Sequence, residues 1–288
     1  MKKPLDLILN VFRFHKFKIV VLALMTLAFC IVLFPYEDLG DWVTVKVSEL
    51  TQKQFYLQFE KMGFTLFPQP GLEFEKVYFE STLSPSMQVG ALTIAPSIHG
   101  LLTLKPGVTI YAKNFLNGDL SLSTRGGEKT AKGDRKQILQ FDLQNVRLQE
   151  ILKLVEAPIS FNGAVKGDTE LTIDPGFSDQ PVGKIELRIE KFHLPPSSVA
   201  TPFGPMNLPE IKVSFVTVKC RLVSGELYID SLQIGDSKDE LNGTVKGQMQ
   251  LSLLKRGIQI TPQLGRFDFN IDVSTVQRLE KNAAPYLQ

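Results

Sequence analysis

From Phe55 onward, apolar residues recur at every second position in short runs. Phe55, Leu57 and Phe59 are followed by Phe64 and Leu66, and by Leu72 and Phe74 with Glu73 and Glu75 opposite. Leu92 and Ile94, Leu102 and Leu104, Val108 and Ile110, and Leu120 and Leu122 continue the pattern. Further on come Ile185, Leu187 and Ile189 with Glu186, Arg188 and Glu190 between them, then Val213 and Phe215, Leu227 and Ile229, Met249, Leu251 and Leu253, and Phe267, Phe269, Ile271 and Val273. Period two sends alternate side chains to opposite faces of a strand, and Gly and Pro break the runs at intervals of about ten residues. The pattern predicts an antiparallel β architecture with one apolar face. Phase changes at Glu60-Lys61 and Phe215-Val216 predict bulges or strong twist, which bend a sheet into a groove.

Two segments before Phe55 follow other patterns. Between Ile19 and Phe34 the one polar residue is Thr26, and Phe17, Pro35 and Tyr36 extend the apolar span toward the roughly 20 residues that cross a bilayer. Ile19, Leu22, Leu27 and Phe34 therefore read as membrane-anchor residues, and the run lacks the small-residue site of a cleaved signal peptide. Leu39, Trp42, Val43, Val47 and Leu50 form the apolar side of a helix over 37–53, with Glu37, Asp38 and Asp41 at its positive end. Leu5, Ile8, Leu9 and Phe12 have the spacing of an amphipathic helix over 4–16. The chain divides into a basic segment, 1–18, a transmembrane anchor, 19–36, and a β-rich domain, 37–288.

Charge sharpens this division. The formal net charge of the 288 residues is +2, yet Lys2, Lys3, Arg13, Lys16 and Lys18 against Asp6 give residues 1–18 a charge of +4 and leave −2 on the rest. Basic residues flanking an anchor mark the cytoplasmic side, so the body is expected on the far side. A faintly acidic body argues against nucleic acid as a partner. With two cysteines, one of them inside the anchor, and three histidines, neither a disulfide framework nor a Cys/His metal site is expected. Cys220 shares the apolar side of its run with Val216, Val218 and Leu222 and reads as a small buried hydrophobe.

Two stretches interrupt the strands. Residues 125–137 are polar and Gly-rich, which predicts a solvated loop. Their Gly126-Gly127-Glu128-Lys129-Thr130 has Glu where a phosphate-binding loop needs Gly. Residues 194–209 carry Pro195, Pro196, Pro202, Pro205 and Pro209, which fits an edge-covering loop or an extended docking arm, and the strands flanking it, with the strand around Phe267 to Val273, are the candidate open edges.

Residues 161–171 and 241–251 share Asn-Gly-x-Val-Lys-Gly-x-x-x-Leu at an offset of 80, and a looser copy runs from Phe115 to Leu122. Phe141-Asp142-Leu143 leading to Ala157-Pro158, and Phe267-Asp268-Phe269 leading to Ala284-Pro285, form a second pair. The internal repeat spans about 139–171 and 241–288. Asn162-Gly163 and Asn242-Gly243 are expected to supply positive φ at tight turns, and Gly167 and Gly247 to relieve crowding, which are structural roles.

The anchor, the short helix, the stretch Phe67-Pro68-Gln69-Pro70-Gly71-Leu72-Glu73-Phe74-Glu75-Lys76-Val77 and the strand-plus-helix units with Asn-Gly-x-Val-Lys-Gly resemble the AsmA-like superfamily of bacterial envelope proteins. Size and a single anchor are most similar to its type II secretion system protein N family. The resemblance implies a single-pass inner-membrane protein, N-terminus cytoplasmic and bulk periplasmic, that binds other type II secretion proteins. The wider superfamily implies an alternative: an elongated, curved antiparallel β-groove that shields phospholipid chains. Roughly 15 strands at about 4.8 Å each would give a groove of about 70 Å. Phe64, Phe74, Phe79 and Phe115 are the candidate groove residues. Neither G-x-S-x-G nor H-E-x-x-H occurs, and no carboxylate, Ser or Lys cluster has catalytic spacing, so the expectation is a non-enzymatic protein with no cofactor.

Overall fold

A computed structural model describes residues 16–67, 69–81, 85–98, 100, 105, 107–129, 135–155, 157, 159–201, 204–256 and 259–275. The expected amphipathic helix over 4–16, the Leu102–Leu104 run, and the C-terminal part of the second repeat copy lie outside these residues.

The chain opens with α1 (Lys16–Val32), which contains Ile19, Leu22 and Leu27. It stops short of the expected boundary at 36 because Pro35 disfavours helical conformation at Phe34, and the last amide, of Leu33, closes on the Phe29 carbonyl at 2.9 Å. Among the described residues no helix is long and apolar enough to cross a membrane. A 3-10 turn (Tyr36–Leu39) leads into α2 (Gly40–Leu50), where Asp41 lies in the first turn.

Strands follow in the order β1 (Phe55–Gln58), β2 (Lys61–Thr65), β3 (Gly71–Ser81), β4 (Met87–Pro96), β5 (Val108–Phe115), β6 (Gly118–Lys129) and β7 (Arg135–Arg147). The short helix α3 (Leu148–Leu154) separates these from β8 (Asn162–Ile173), β9 (Val182–Leu194), β10 (Ser197–Thr201), β11 (Gly204–Leu208), β12 (Ile211–Val223), β13 (Glu226–Ile234), β14 (Leu241–Arg256) and β15 (Gln259–Thr275). Thirteen strands make one antiparallel sheet in nearly sequential order, β1-β3-β4-β5-β6-β7-β8-β9-β12-β13-β14-β15, with β2 beside β1 on the same flank of β3. Among the described residues the protein is thus mainly β, with three short helices.

Seven ladders shift register, among them β7·β8 between Leu143 and Val146, β12·β13 between Lys219 and Cys220, and β14·β15 between Met249 and Leu251. Each extra residue adds local twist.

The best-packed core lies at the N-terminal flank. Leu57, Met62, Phe74, Val77, Val89, Leu92 and Ala112 are buried there under Tyr36, Leu39, Val43 and Val47 of the 3-10 turn and α2. The predicted helix forms over Gly40–Leu50, and Leu39, Val43 and Val47 of its expected apolar side cover the first strands, whereas Trp42 and Leu50 are 62 and 72% exposed.

Three expectations are corrected. Residues 125–137 are not a loop throughout: the β6·β7 ladder extends into them, pairing Arg125 with Ile138, Gly126 with Gln137 and Lys129 with Arg135. The Pro-rich stretch holds the β10–β11 hairpin, a separate two-stranded sheet. Consequently the strands flanking it are not edges, since β9 and β12 pair directly, Leu194 opposite Ile211.

Candidate functional site: the apolar face of the sheet

Residues directly opposite in adjacent antiparallel strands share a face, so the ladders can be followed across the sheet. One row begins at Met62 and runs through Phe74, Leu92, Ala112, Leu120, Leu143 and Gly167 to Leu187. It continues through Val218, Leu232 and Val245 to Ile271. A parallel row joins Phe64, Leu72, Ile94, Ile110, Leu122, Phe141, Thr169, Ile185, Cys220, Ile229, Gly247 and Phe269. Thr169 is the one polar member of the two rows. The alternating runs seen in the sequence therefore merge into a single apolar face from β2 to β15.

Helices cover only part of it. The 3-10 turn and α2 pack on β1 and β2, and α3 packs on β7 and β8, where Val146 and Val165 are buried. No comparable helix contact reaches β9 or β12–β15 among the described elements. Even so, Val216, Cys220 and Leu222 on β12 are 9, 8 and 5% exposed, and at the Leu222 end the β8–β9 connection reaches across to β14, where the Gln180 side chain bonds the Leu253 backbone at 2.8 and 3.1 Å. Toward β15 the enclosure is lost, and Phe267 and Ile271 are 71 and 62% exposed.

The repeat motif has a geometric meaning on this face. Gly167 lies between Leu143 and Leu187, and Gly247 between Ile229 and Phe269. A Cβ at either would collide with a backbone carbonyl of the next strand, that of Glu186 or of Asp268. Phe141-Asp142-Leu143 and Phe267-Asp268-Phe269 meet the two copies in the same register, although one precedes its copy in the chain and the other follows. The expected turns at Asn162-Gly163 and Asn242-Gly243 do not form: both pairs lie inside strands, and a Cβ at Gly163 would meet the Ile189 Cγ2 at 2.7 Å. The positive-φ turn belongs to the looser copy, at Leu116 (48°) and Asn117 (62°) between β5 and β6.

The opposite face is charged and paired. Arg221 grips the Asp230 carboxylate through Nε and Nη2 at 2.7 Å, which holds that carboxyl below its usual range. Lys166 bonds Glu190 at 2.9 Å, and Lys219 bonds Glu186 at 3.2 Å. These are solvated cross-strand pairs. Burial pushes the Cys220 thiol up, and Asp230 adds to the shift, both opposite to what a nucleophile requires. His193 Nδ1 is 3.2 Å from the Asn162 amide and its Nε2 is 3.0 Å from Glu210, a link at the base of the β10–β11 hairpin. No group of His, Cys, Asp or Glu among the described residues is arranged to hold a metal.

Comparison with protein-family models, with curated proteins and with solved structures finds no match to this chain. The face must therefore be read from its own geometry.

The four candidate groove residues are brought to the covered end. Phe74 is buried, Phe79 and Phe115 pack around the same core, and Phe64 stacks on Tyr36 with ring centroids 6.4 Å apart. They fill space beneath the 3-10 turn and α2, so they do not line an open groove. Beyond the strands that the described helices contact, the face continues through Ile185, Leu187, Ile229, Leu232 and Phe269. Alternation already marks most of them, but their union into one surface depends on register, which alternation does not encode.

Proposed function

We propose that the protein is a non-enzymatic, membrane-anchored protein of the bacterial envelope whose sheet is a curved groove for the acyl chains of phospholipid. The observation that carries this reading is the apolar face continuous over twelve strand positions and, among the described elements, without helix contact on β9 and β12–β15. Eleven strand spacings of about 4.8 Å make it roughly 53 Å long. This is shorter than 70 Å because β1 and β2 share one position and β10 and β11 leave the sheet. The bulges supply curvature, and the burial of Val216 and Cys220 on a strand that no described helix contacts fits a concave apolar side.

The anchor reading rests on α1. Phe17, Leu22, Leu24, Met25 and Phe29 are each 59–80% exposed around a helix that is apolar on all sides, an arrangement stable in lipid and not in water. The Thr26 hydroxyl donates to the Leu22 carbonyl at 2.9 Å, so it needs no outside partner. Seventeen residues give about 25 Å, which local thinning of the bilayer and snorkelling of Lys16 and Lys18 accommodate.

The test is photo-crosslinking of the full chain, in inner-membrane lipid, with phospholipid bearing a diazirine on its acyl chain. Adducts are expected on Leu122, Leu187 and Leu232. Absence of adducts, or equal labelling of Ser121, Glu186 and Ser231 on the polar face, would refute the groove. A second reading, binding of another type II secretion protein, is favoured by β15, a 17-residue strand paired to β14 alone among the described strands. An unpaired edge of that length is a template for strand addition. The resemblance to the protein N family supplies the kind of partner. A photo-reactive residue at Asn270 that captures no secretion component in cells would overturn it.

A further inference from the structure

Where α1 meets the sheet, the described residues form an apolar collar. The Tyr36 hydroxyl donates to the Ile31 carbonyl at 2.8 Å, and its ring lies 5.1 Å from Phe34 and 6.4 Å from Phe64 between centroids. These contacts tie the end of the helix to β2. At the tip after β2, the Thr65 hydroxyl donates to the Phe67 carbonyl at 3.0 Å and accepts from the Phe67 amide at 3.3 Å, which fixes the tip. The Gln69 amide donates to the Tyr111 hydroxyl at 2.9 Å and holds the same tip to β5. The side chains left outside are Leu33 (74% exposed), Leu66 (69%), Phe67 (85%), Ile98 (49%) and Val108 (41%). They lie at one end of the strands: Leu72 is opposite Ile94, and Pro96 is opposite Val108.

The segments that follow β2 and β4 carry charge of one sign, while Glu37 and Asp38 follow Tyr36. The sequence has no carboxylate from Phe64 to Leu72 or from Ala91 to Asn114, and Lys105 lies within the second stretch. Exposed apolar side chains on segments that carry a lysine and no acid fit the boundary between anionic headgroups and acyl chains. We propose that the collar of Leu66, Phe67, Ile98 and Val108 is seated in the interface of the same bilayer that α1 enters, holding the first strands against the membrane. This rests on the anchor reading above and adds how the groove meets its lipid. Continuity favours the bilayer over a protein partner, because Leu33 and Phe34 lead from the helix into the collar through the Tyr36 stack.

Trp42 is the only tryptophan, which makes a clean test. In the full chain carrying Trp42→Phe, Phe67→Trp is compared with Leu24→Trp after reconstitution into vesicles of phosphatidylethanolamine and phosphatidylglycerol brominated at a shallow or a deep acyl position. Trp42, Phe67 and Leu24 are 62, 85 and 60% exposed, so none of these changes disturbs a packed core. The expected result is blue-shifted emission at position 67, quenched about 2-fold or more by shallow bromines, with position 24 quenched by deep ones. Red, unquenched emission at 67 while 24 is quenched overturns the seating and leaves the anchor standing. Blue-shifted but unquenched emission at 67 means a protein covers the collar and also overturns the proposal. If neither position is quenched, the anchor reading fails and the collar with it.

Discussion

Glycine decides the residue scale. Gly167 and Gly247 lie under strands whose carbonyls occupy the space a Cβ would need, whereas nothing lies within 4 Å of a Cβ at Gly63. Gly167→Ala and Gly247→Ala are expected to destabilise by about 2 kcal/mol or more, and Gly63→Ala to change stability by less than about 0.5 kcal/mol. Urea midpoints of the three variants measure the contrast. Asp174, buried in the β8–β9 connection, offers a second handle. Its burial favours the neutral form, but the amides of Gly176, Ser178 and Asp179 donate to the carboxylate and hold its pKa below the ordinary value. A carboxyl with a depressed folded pKa contributes stability above its unfolded pKa, and that contribution is lost as pH falls through the folded value. The protection factors of those three amides are therefore expected to fall below about pH 4, and in Asp174→Asn to be low already at neutral pH. The sequence motif around Asn162 and Asn242 was legible as a repeat but not as strand interior. Asn-Gly suits both a tight turn and a close strand crossing, and only the partner strand distinguishes them.

At the scale of elements, local patterning carried far. The Leu39, Val43 and Val47 side of α2, the strand runs within the described residues and the short helix before Ala157 follow from side-chain period and are present. What patterning lacked was pairing. The Pro-rich stretch fails to join the main sheet, as expected, yet its residues still pair with each other, Ser197 opposite Leu208 and Thr201 opposite Gly204. Polar strands such as the outer parts of β6 and β7 are joined by their backbone ladder and carry no alternation to reveal them. For α2 the consequence is measurable. Val43 and Val47 pack on the buried cluster, whereas Trp42 is 62% exposed. Val43→Ala and Val47→Ala are each expected to lower stability by about 1–2 kcal/mol, with Trp42→Ala near neutral, in thermal unfolding followed by circular dichroism.

Over the whole molecule, the property that matters is the merging of short runs into one apolar face, which sequence alternation leaves undetermined because a one-residue slip in any ladder would send that strand's apolar set to the other side. The bulges keep the rows together. In the β12·β13 ladder the partner of Lys219 is Ser231 and that of Cys220 is Ile229, so a single skipped residue keeps polar opposite polar and apolar opposite apolar. A groove for acyl chains and a face buried by a protein partner both require this continuity, but they respond differently to charge at its centre. Leu187 and Leu232 are half-buried, on the same face and beyond the reach of the covering helices. An aspartate at either position can still reach water in the free protein, so the loss of stability is expected to be modest, about 1–2 kcal/mol. A charge in the path of an acyl chain has no such escape once the groove is occupied. Leu187→Asp with Leu232→Asp is therefore expected to reduce acyl-chain crosslinking along the whole face about 10-fold, while Glu186→Gln on the polar face leaves it unchanged. Crosslinking that persists in the double variant would mean that lipid contacts the protein elsewhere, and the face would then be assigned to a protein partner.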